Sequence, residues 1–166
     1  MTSIKASRVR ELLKAARRSR ILVRGDVMLD QFIWGGVSRI SPEAPVPVVD
    51  FHRESFMPGG AANVARNLSS LGASAELFSV VGQDESAERL RGLLHEQEVE
   101  CAGLLGHPDR PTSIKTRIVA HQQQVVRVDR ESKQDVDSAT ARRLLKALEP
   151  RLRKADGVIV GDYGKG

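Results

Sequence analysis

Two short apolar runs, each closed by the same dipeptide, set the narrowest limits on how this chain can fold. Ile21-Leu22-Val23 leads into Gly25-Asp26, and Val158-Ile159-Val160 leads into Gly161-Asp162. Apolar runs without polar alternation suit strands buried on both faces, which is the condition of a parallel sheet. Helical spacing fills the intervals between them. Val64, Leu68 and Leu71 recur at i, i+4 and i+7 before Gly72, and Leu90, Leu93 and Leu94 mark the inner face of a second helix over about 86–97. Gly72 is placed to end its helix in a left-handed conformation. Ala75 to Val81, interrupted only by Glu76 and Ser79, predicts another strand covered on both faces, and a further helix is expected over about 138–152. Strands alternating with helices predict an α/β fold built on a parallel sheet with right-handed crossovers. Ligands of such sheets bind beyond the carboxyl ends of the strands, where both Gly-Asp pairs would sit.

Two stretches break the alternation. From Gly35-Gly36 through Ser41-Pro42-Glu43-Ala44-Pro45-Val46-Pro47 to Val48-Val49-Asp50-Phe51, prolines exclude a helix and a central strand, leaving an edge strand or an excursion from the main sheet. Residues 112–120 and 124–129 are rich in β-branched side chains and flank a polar His-Gln-Gln turn, which predicts a hairpin. Together the segments of about 33–56 and 112–130 are expected to form one small β layer projecting from a single domain that occupies residues 1–166. The final strand has no helix after it, so the sheet is expected to be cut mid-fold, truncated at its C-terminal side.

Charge and composition narrow the function classes. The net charge is +5, but Arg8, Arg10, Lys14, Arg17 and Arg18 fall in one opening helix whose stripe is Leu12, Leu13, Ala15 and Ala16, so a solvated helix face accounts for much of it. Aromatic residues make up 4% of the chain, too few for a base-stacking platform, and no nucleic-acid module is present. Attraction of phosphorylated small molecules is the alternative use of the positive charge. Cys101 is the single cysteine, which excludes an internal disulfide and is expected to be a small apolar residue on a short strand. His52, His95, His107 and His121 are scattered, and no zinc spacing or histidine-dependent mechanism is indicated. With no apolar run of about 18 residues and no secretory signal pattern, no membrane contact is expected and the cytoplasm is the expected compartment.

Few residue patterns suggest chemistry. Gly59-Gly60-Ala61-Ala62-Asn63 opens a helix with two glycines, so that backbone N–H groups can approach a hydroxyl-rich or anionic ligand. The same glycines could form only a tight turn with Asn63 as a cap. Asp26 and Asp30, after the first strand, could each accept two sugar hydroxyls or could cap turns. Lys115, Arg117 and Arg127 on the hairpin, with Arg39 in the Pro-rich stretch, are either ordinary strand-face charges or a clamp for a sugar phosphate. A Walker string is missing, because the position five before Gly164-Lys165 is Ile159.

The strings Gly25-Asp26-Val27-Met28-Leu29-Asp30, Ser38-Arg39-Ile40-Ser41-Pro42-Glu43-Ala44-Pro45-Val46-Pro47-Val48-Val49 and Pro58-Gly59-Gly60-Ala61-Ala62-Asn63-Val64-Ala65 closely resemble the heptose 7-phosphate kinase branch of the ribokinase-like, PfkB-type carbohydrate kinases. Asp162-Tyr163-Gly164-Lys165-Gly166 resembles that branch's motif after the middle strand. The resemblance runs from about residue 20 onward. It implies the N-terminal half of a ribokinase-like three-layer fold, with helices on both faces of the sheet and a β-lid. It also implies ATP- and Mg²⁺-dependent phosphorylation of D-glycero-D-manno-heptose 7-phosphate at the anomeric hydroxyl, toward ADP-heptose and the lipopolysaccharide core. Asp30, Gly59, Gly60 and Asn63 would hold the sugar, with Asp26 and Asp162 lining the same cleft. Lys115, Arg117 and Arg39 would attend the 7-phosphate. The implied partners are a second copy through the lid, or a complementing C-terminal half. The family's Gly-Ala-Gly-Asp string, which supplies the catalytic base, does not occur in these 166 residues, so no catalytic residue is expected in the chain itself. The alternatives are a non-catalytic sugar-phosphate binding or oligomerisation module, and a kinase for another sugar phosphate.

Overall fold

The computed structural model describes residues 4–165. Its elements run α1 (Ala6–Ala16), β1 (Arg20–Gly25), β2 (Val27–Ile40), β3 (Pro47–Gly60), α2 (Ala61–Ser70), β4 (Ser74–Gly82), α3 (Glu85–His95), β5 (Glu100–His107), β6 (Ile114–Ala120), β7 (Gln123–Arg130), α4 (Ser138–Leu152) and β8 (Gly157–Gly161). Two four-stranded sheets result, in the orders β5-β4-β1-β8 and β3-β2-β6-β7. All pairings in the first sheet are parallel.

Successive side chains of a strand point to opposite faces, and β1 and β4 use both. Val23 and Leu77 are buried with Ala65 of α2 and Leu90 and Leu94 of α3 on one face, whereas Leu22 and Phe78 are buried with Leu144 of α4 on the other. This is the three-layer α/β arrangement expected from the apolar runs. Gly72 closes the α2 turn at φ +88°, the left-handed conformation that its place predicts. Cys101 lies on β5, part-buried against the core, and burial pushes its thiol up.

One expectation about burial does not hold. Val158, Ile159 and Val160 are exposed rather than buried. β8 is an edge strand paired with β1 alone, and α4 packs over β1 and β4, away from it. The stripe of α1 is also open, with Leu12 and Leu13 exposed and none of its residues buried. No helix among the described residues is long and apolar enough to cross a membrane.

The second sheet grows out of the first at its carboxyl edge. β2 leaves β1 through Gly25-Asp26, pairs antiparallel with β3 and parallel with β6, and β3 ends where α2 begins. Pro47 starts β3, an edge strand, as the prolines require. The β6–β7 hairpin turns through His121 and Gln122, at φ +50° and +63°, so two consecutive left-handed residues make the tight connection.

Thr112 fastens the start of β6 to the first sheet. Its hydroxyl donates to Asp84 Oδ1 at 2.7 Å and accepts from the Gly82 N–H at 3.0 Å, while its own N–H donates to Asp84 Oδ2 at 2.8 Å. Burial pushes the Asp84 carboxyl up, but the bonds from Thr112 and from the Ala87 N–H outweigh it and hold the group below its ordinary value. A carboxylate with a depressed folded pKa contributes stability that is present above its unfolded value of about 3.9 and is lost as the pH falls through the folded one. Thr112→Val keeps the shape but leaves the Gly82 N–H and Asp84 without the hydroxyl. It is expected to cost about 1–3 kcal/mol in urea unfolding at pH 7 and to flatten the acid limb below about pH 4. Equal stability of the two proteins at pH 7 would contradict this role for the hydroxyl.

Candidate functional site

The site assembles at the carboxyl ends of β1 and β8, where the second sheet departs. Asp26 follows β1 and is used from every side. Its N–H donates to the Gly161 carbonyl and its carbonyl accepts from the Ala61 N–H, both at 2.9 Å. Its carboxylate Oδ2 accepts from the N–H groups of Tyr163 at 2.9 Å and Lys165 at 3.0 Å. Asp162 closes the same loop internally, Oδ1 accepting from the Gly164 N–H at 2.8 Å. One oxygen of each aspartate is therefore spent on backbone, which is the turn-forming use, and only the second oxygen of each is left out of these bonds.

Asp30 stands on β2 opposite Lys115 of β6. Its Oδ1 accepts from Arg117 Nη1 at 2.6 Å, and its Oδ2 lies 2.6 Å from where a Cβ on Gly59 would stand. Gly60 is the residue before α2, at φ +57° and ψ −133°, and a Cβ there would collide with the Asp26 carbonyl oxygen. The two glycines are thus required by close approach: Gly59 admits the Asp30 carboxylate and Gly60 admits the β1–β2 connection. Asn63 is half-buried in the first turn of α2, and no side chain caps that helix, so its amide is not spent on capping.

Lys115 and Arg117 project from β6 on the face that carries Asp30. Lys115 Nζ donates to Asp129 Oδ2 at 3.0 Å, and Arg127 holds Asp129 Oδ1 at 2.8 Å. The hydrogen bond from Lys115, with Arg127 beside it, keeps the Asp129 carboxyl below its ordinary range. Phe32 and Trp34 continue the face along β2, stacked at 5.9 Å, with the Arg117 guanidinium 5.2 Å over Phe32 and Arg53 4.5 Å over Trp34. Arg39 is not part of this cluster. It is exposed, pairs with Val48, and lies nine residues further along β2 from Asp30, or about 30 Å at the rise of a strand. A clamp of Arg39 with Lys115 and Arg117 is not formed within one copy of the chain.

Two residues given no ligand role from the sequence complete the cluster. Lys165 Nζ donates to Glu131 Oε1 at 2.9 Å, and Glu131 Oε2 stands 3.7 Å from Lys115 Nζ. The Lys165 bond lowers the Glu131 carboxyl. The alternation Arg127, Asp129, Glu131 carried the signal for Glu131, because period-two polar residues on a strand and its exit share one face.

Asp26 and Lys165 also border a cavity of about 250 Å³, walled by Arg24, Arg110, Leu144 and Leu148. A second cavity, of about 290 Å³, lies between Phe56, Arg66, Asn67 and Leu93 and touches none of the candidate ligand residues. Among the described residues no group of three or more His, Cys, Asp or Glu could hold a metal ion.

Residues 19–159 match the pfkB family carbohydrate kinases, and the chain belongs to that family. Within it, the chain is 47% identical to the bifunctional protein HldE of Caulobacter vibrioides over 155 residues, which are 93% of this chain and 32% of that protein. It is 42% identical to the HldE of Aliarcobacter butzleri over 151 residues, 91% and 32% of the two chains. The chain thus spans about a third of the length of these curated relatives. Solved structures of a carbohydrate kinase from Agrobacterium tumefaciens (TM-score 0.65, 22% identity, 86% of this chain and 45% of that one) and of a microbiome-derived acarbose kinase (0.61, 17%, 86% and 45%) share the fold. The fold is ribokinase-like.

Proposed function

We propose that this chain is the sugar-binding part of a kinase that phosphorylates D-glycero-D-manno-heptose 7-phosphate at its anomeric hydroxyl, a step toward ADP-heptose and the lipopolysaccharide core. The observation that carries the reading is Asp30. Its carboxylate is set against Gly59 at the mouth of the second sheet, with Arg117 bound to it and Lys115 on the adjoining strand. A carboxylate that accepts hydroxyls beside cations that attract a phosphate suits a phosphorylated sugar. Identity of 42–47% to proteins named bifunctional protein HldE supports the same reading.

In this reading Asp30 accepts two sugar hydroxyls, the Asn63 amide both donates and accepts, and Asp26 serves mainly to hold the loop 162–165 beneath the sugar. Lys115 and Arg117 face the 7-phosphate. The second sheet acts as a lid, and Arg39, remote within one chain, would reach a phosphate only from the lid of a second copy. The residues described offer no Mg²⁺ cluster and no Walker string, so no step is assigned to Mg²⁺·ATP here.

The reading is tested by thermal unfolding with a panel of sugar phosphates. A ligand present at 100 times its Kd stabilises the folded state by about 2.7 kcal/mol. Heptose 7-phosphate is expected to raise the Tm more than pentose or hexose phosphates at equal concentration. A larger rise with another sugar phosphate would replace the substrate, and no rise with any would remove the sugar site.

A further inference from the structure

Lys165 reaches the cluster by a constrained route. Its N–H is fixed to Asp26 Oδ2 at 3.0 Å, and its carbonyl accepts from the Arg110 guanidinium. With the backbone held on both sides, the ammonium is the free part of the residue, and Glu131 Oε1 holds it at 2.9 Å. The same carboxylate faces a second ammonium. Oε2 is buried, has no hydrogen-bond partner, and lies 3.7 Å from Lys115 Nζ. One carboxylate therefore keeps two ammonium groups side by side, each still able to donate further bonds. Around them, Lys115, Arg117, Arg127 and Lys165 interleave with Asp30, Asp129 and Glu131.

We propose that Lys165 is a third cation of the phosphate-binding subsite, beside Lys115 and Arg117, and that Glu131 is the positioning residue that aims it there. The inference rests on the sugar-phosphate reading above and extends it to two residues on the exit of the lid hairpin and on the loop after β8. It also gives the subsite a further cation from within one chain, where Arg39 cannot reach. Lys165 would contact the phosphate, whereas Glu131 would act only through the lysines.

The test compares heptose 7-phosphate with the unphosphorylated heptose, titrated calorimetrically into the full chain and its variants, with folding checked by circular dichroism. The quantity read is the preference for the phosphorylated sugar. Lys165→Met is expected to reduce that preference about tenfold, leaving affinity for the unphosphorylated sugar within about twofold. Lys165→Arg is expected to retain most of it. Glu131→Gln is expected to reduce it by a similar factor, and the double variant by no more than either single one, because the two residues act as a unit. A merely structural role would weaken both sugars alike. If Lys115→Met abolishes the preference while Lys165→Met leaves it intact, the inference about Lys165 fails and the sugar-phosphate reading stands. Additive effects of the Lys165 and Glu131 changes overturn the positioning role. If Lys165→Met does not fold, the Glu131→Gln and Lys165→Arg titrations decide. A parent chain that binds neither sugar overturns the sugar-phosphate reading and this inference with it.

Discussion

Asp30→Ala is expected to lower the affinity of the chain for heptose 7-phosphate by about 100-fold or more, with little change in stability. The carboxylate is the group best placed to accept sugar hydroxyls, and hydrogen bonds to a charged group contribute about 1.5–3 kcal/mol each, so losing a pair removes roughly 3 kcal/mol or more. The stability change is small for a different reason. The Arg117–Asp30 pair is short, but both side chains keep about a fifth of their surface in water, so the arginine left behind is rehydrated and the cost stays at about 1 kcal/mol. Asp30→Asn, which keeps the shape and one acceptor, should fall between. Titration of the three proteins checks the order, and an Asp30→Ala chain that binds like its parent would remove the sugar from this place.

Gly60→Ala should produce a large loss of stability from one added methyl group at the site. The residue sits at φ +57° and ψ −133°, and its new Cβ would meet the Asp26 carbonyl, a backbone atom that cannot turn aside. That carbonyl already accepts from the Ala61 N–H and so fixes the start of α2. A sparsely populated positive-φ conformation of this kind costs an alanine about 1–3 kcal/mol, and forcing backbone apart in a packed region typically adds about 1–3 kcal/mol. A total of about 3 kcal/mol corresponds to a fall in Tm of roughly 6–12 °C for a chain of this size. Gly92→Ala is the matched control. It lies within α3 with nothing near the added methyl, and alanine there should stabilise by about 0.5–1 kcal/mol. Thermal unfolding of both variants checks the contrast, and a Gly60→Ala chain as stable as Gly92→Ala would refute the account of the Gly-Gly turn.

How much of this was legible in the residues differs by element. Alternation of apolar runs with helical spacing placed β1, β4, α2, α3 and α4 and their parallel order, because burial of Leu22 and Val23 on opposite faces of one strand leaves no polar position in the run. It failed at β8, whose run is as apolar as that of β1 but whose position at the sheet edge leaves it exposed. Apolar sequence sets what a strand could bury, and neighbours decide what it does bury. The cluster at Asp30, Gly59, Lys115 and Arg117 could be approached from motif strings, since two of its members belong to the Gly-Asp and Gly-Gly segments. Arg39 lies apart from the cluster within one chain because a motif string gives closeness in sequence, and a fourteen-residue strand carries its far end away from the cleft. Glu131 belongs to no ligand pattern, and Lys165, although part of the Asp162–Gly166 string, received no ligand role because the string does not show what its ammonium meets. Their meeting depends on the hairpin exit and the β8 loop coming together in the fold, a contact between residues 34 positions apart.

The central claim is that these residues form a sugar-phosphate site, and calorimetric titration of the purified chain with D-glycero-D-manno-heptose 7-phosphate, with ATP·Mg²⁺ titrated separately, tests it most directly. The account predicts saturable binding of the sugar phosphate, lost in Asp30→Ala, and no comparable binding of ATP·Mg²⁺ by these residues alone. A chain shown to be folded that binds no sugar phosphate would contradict it.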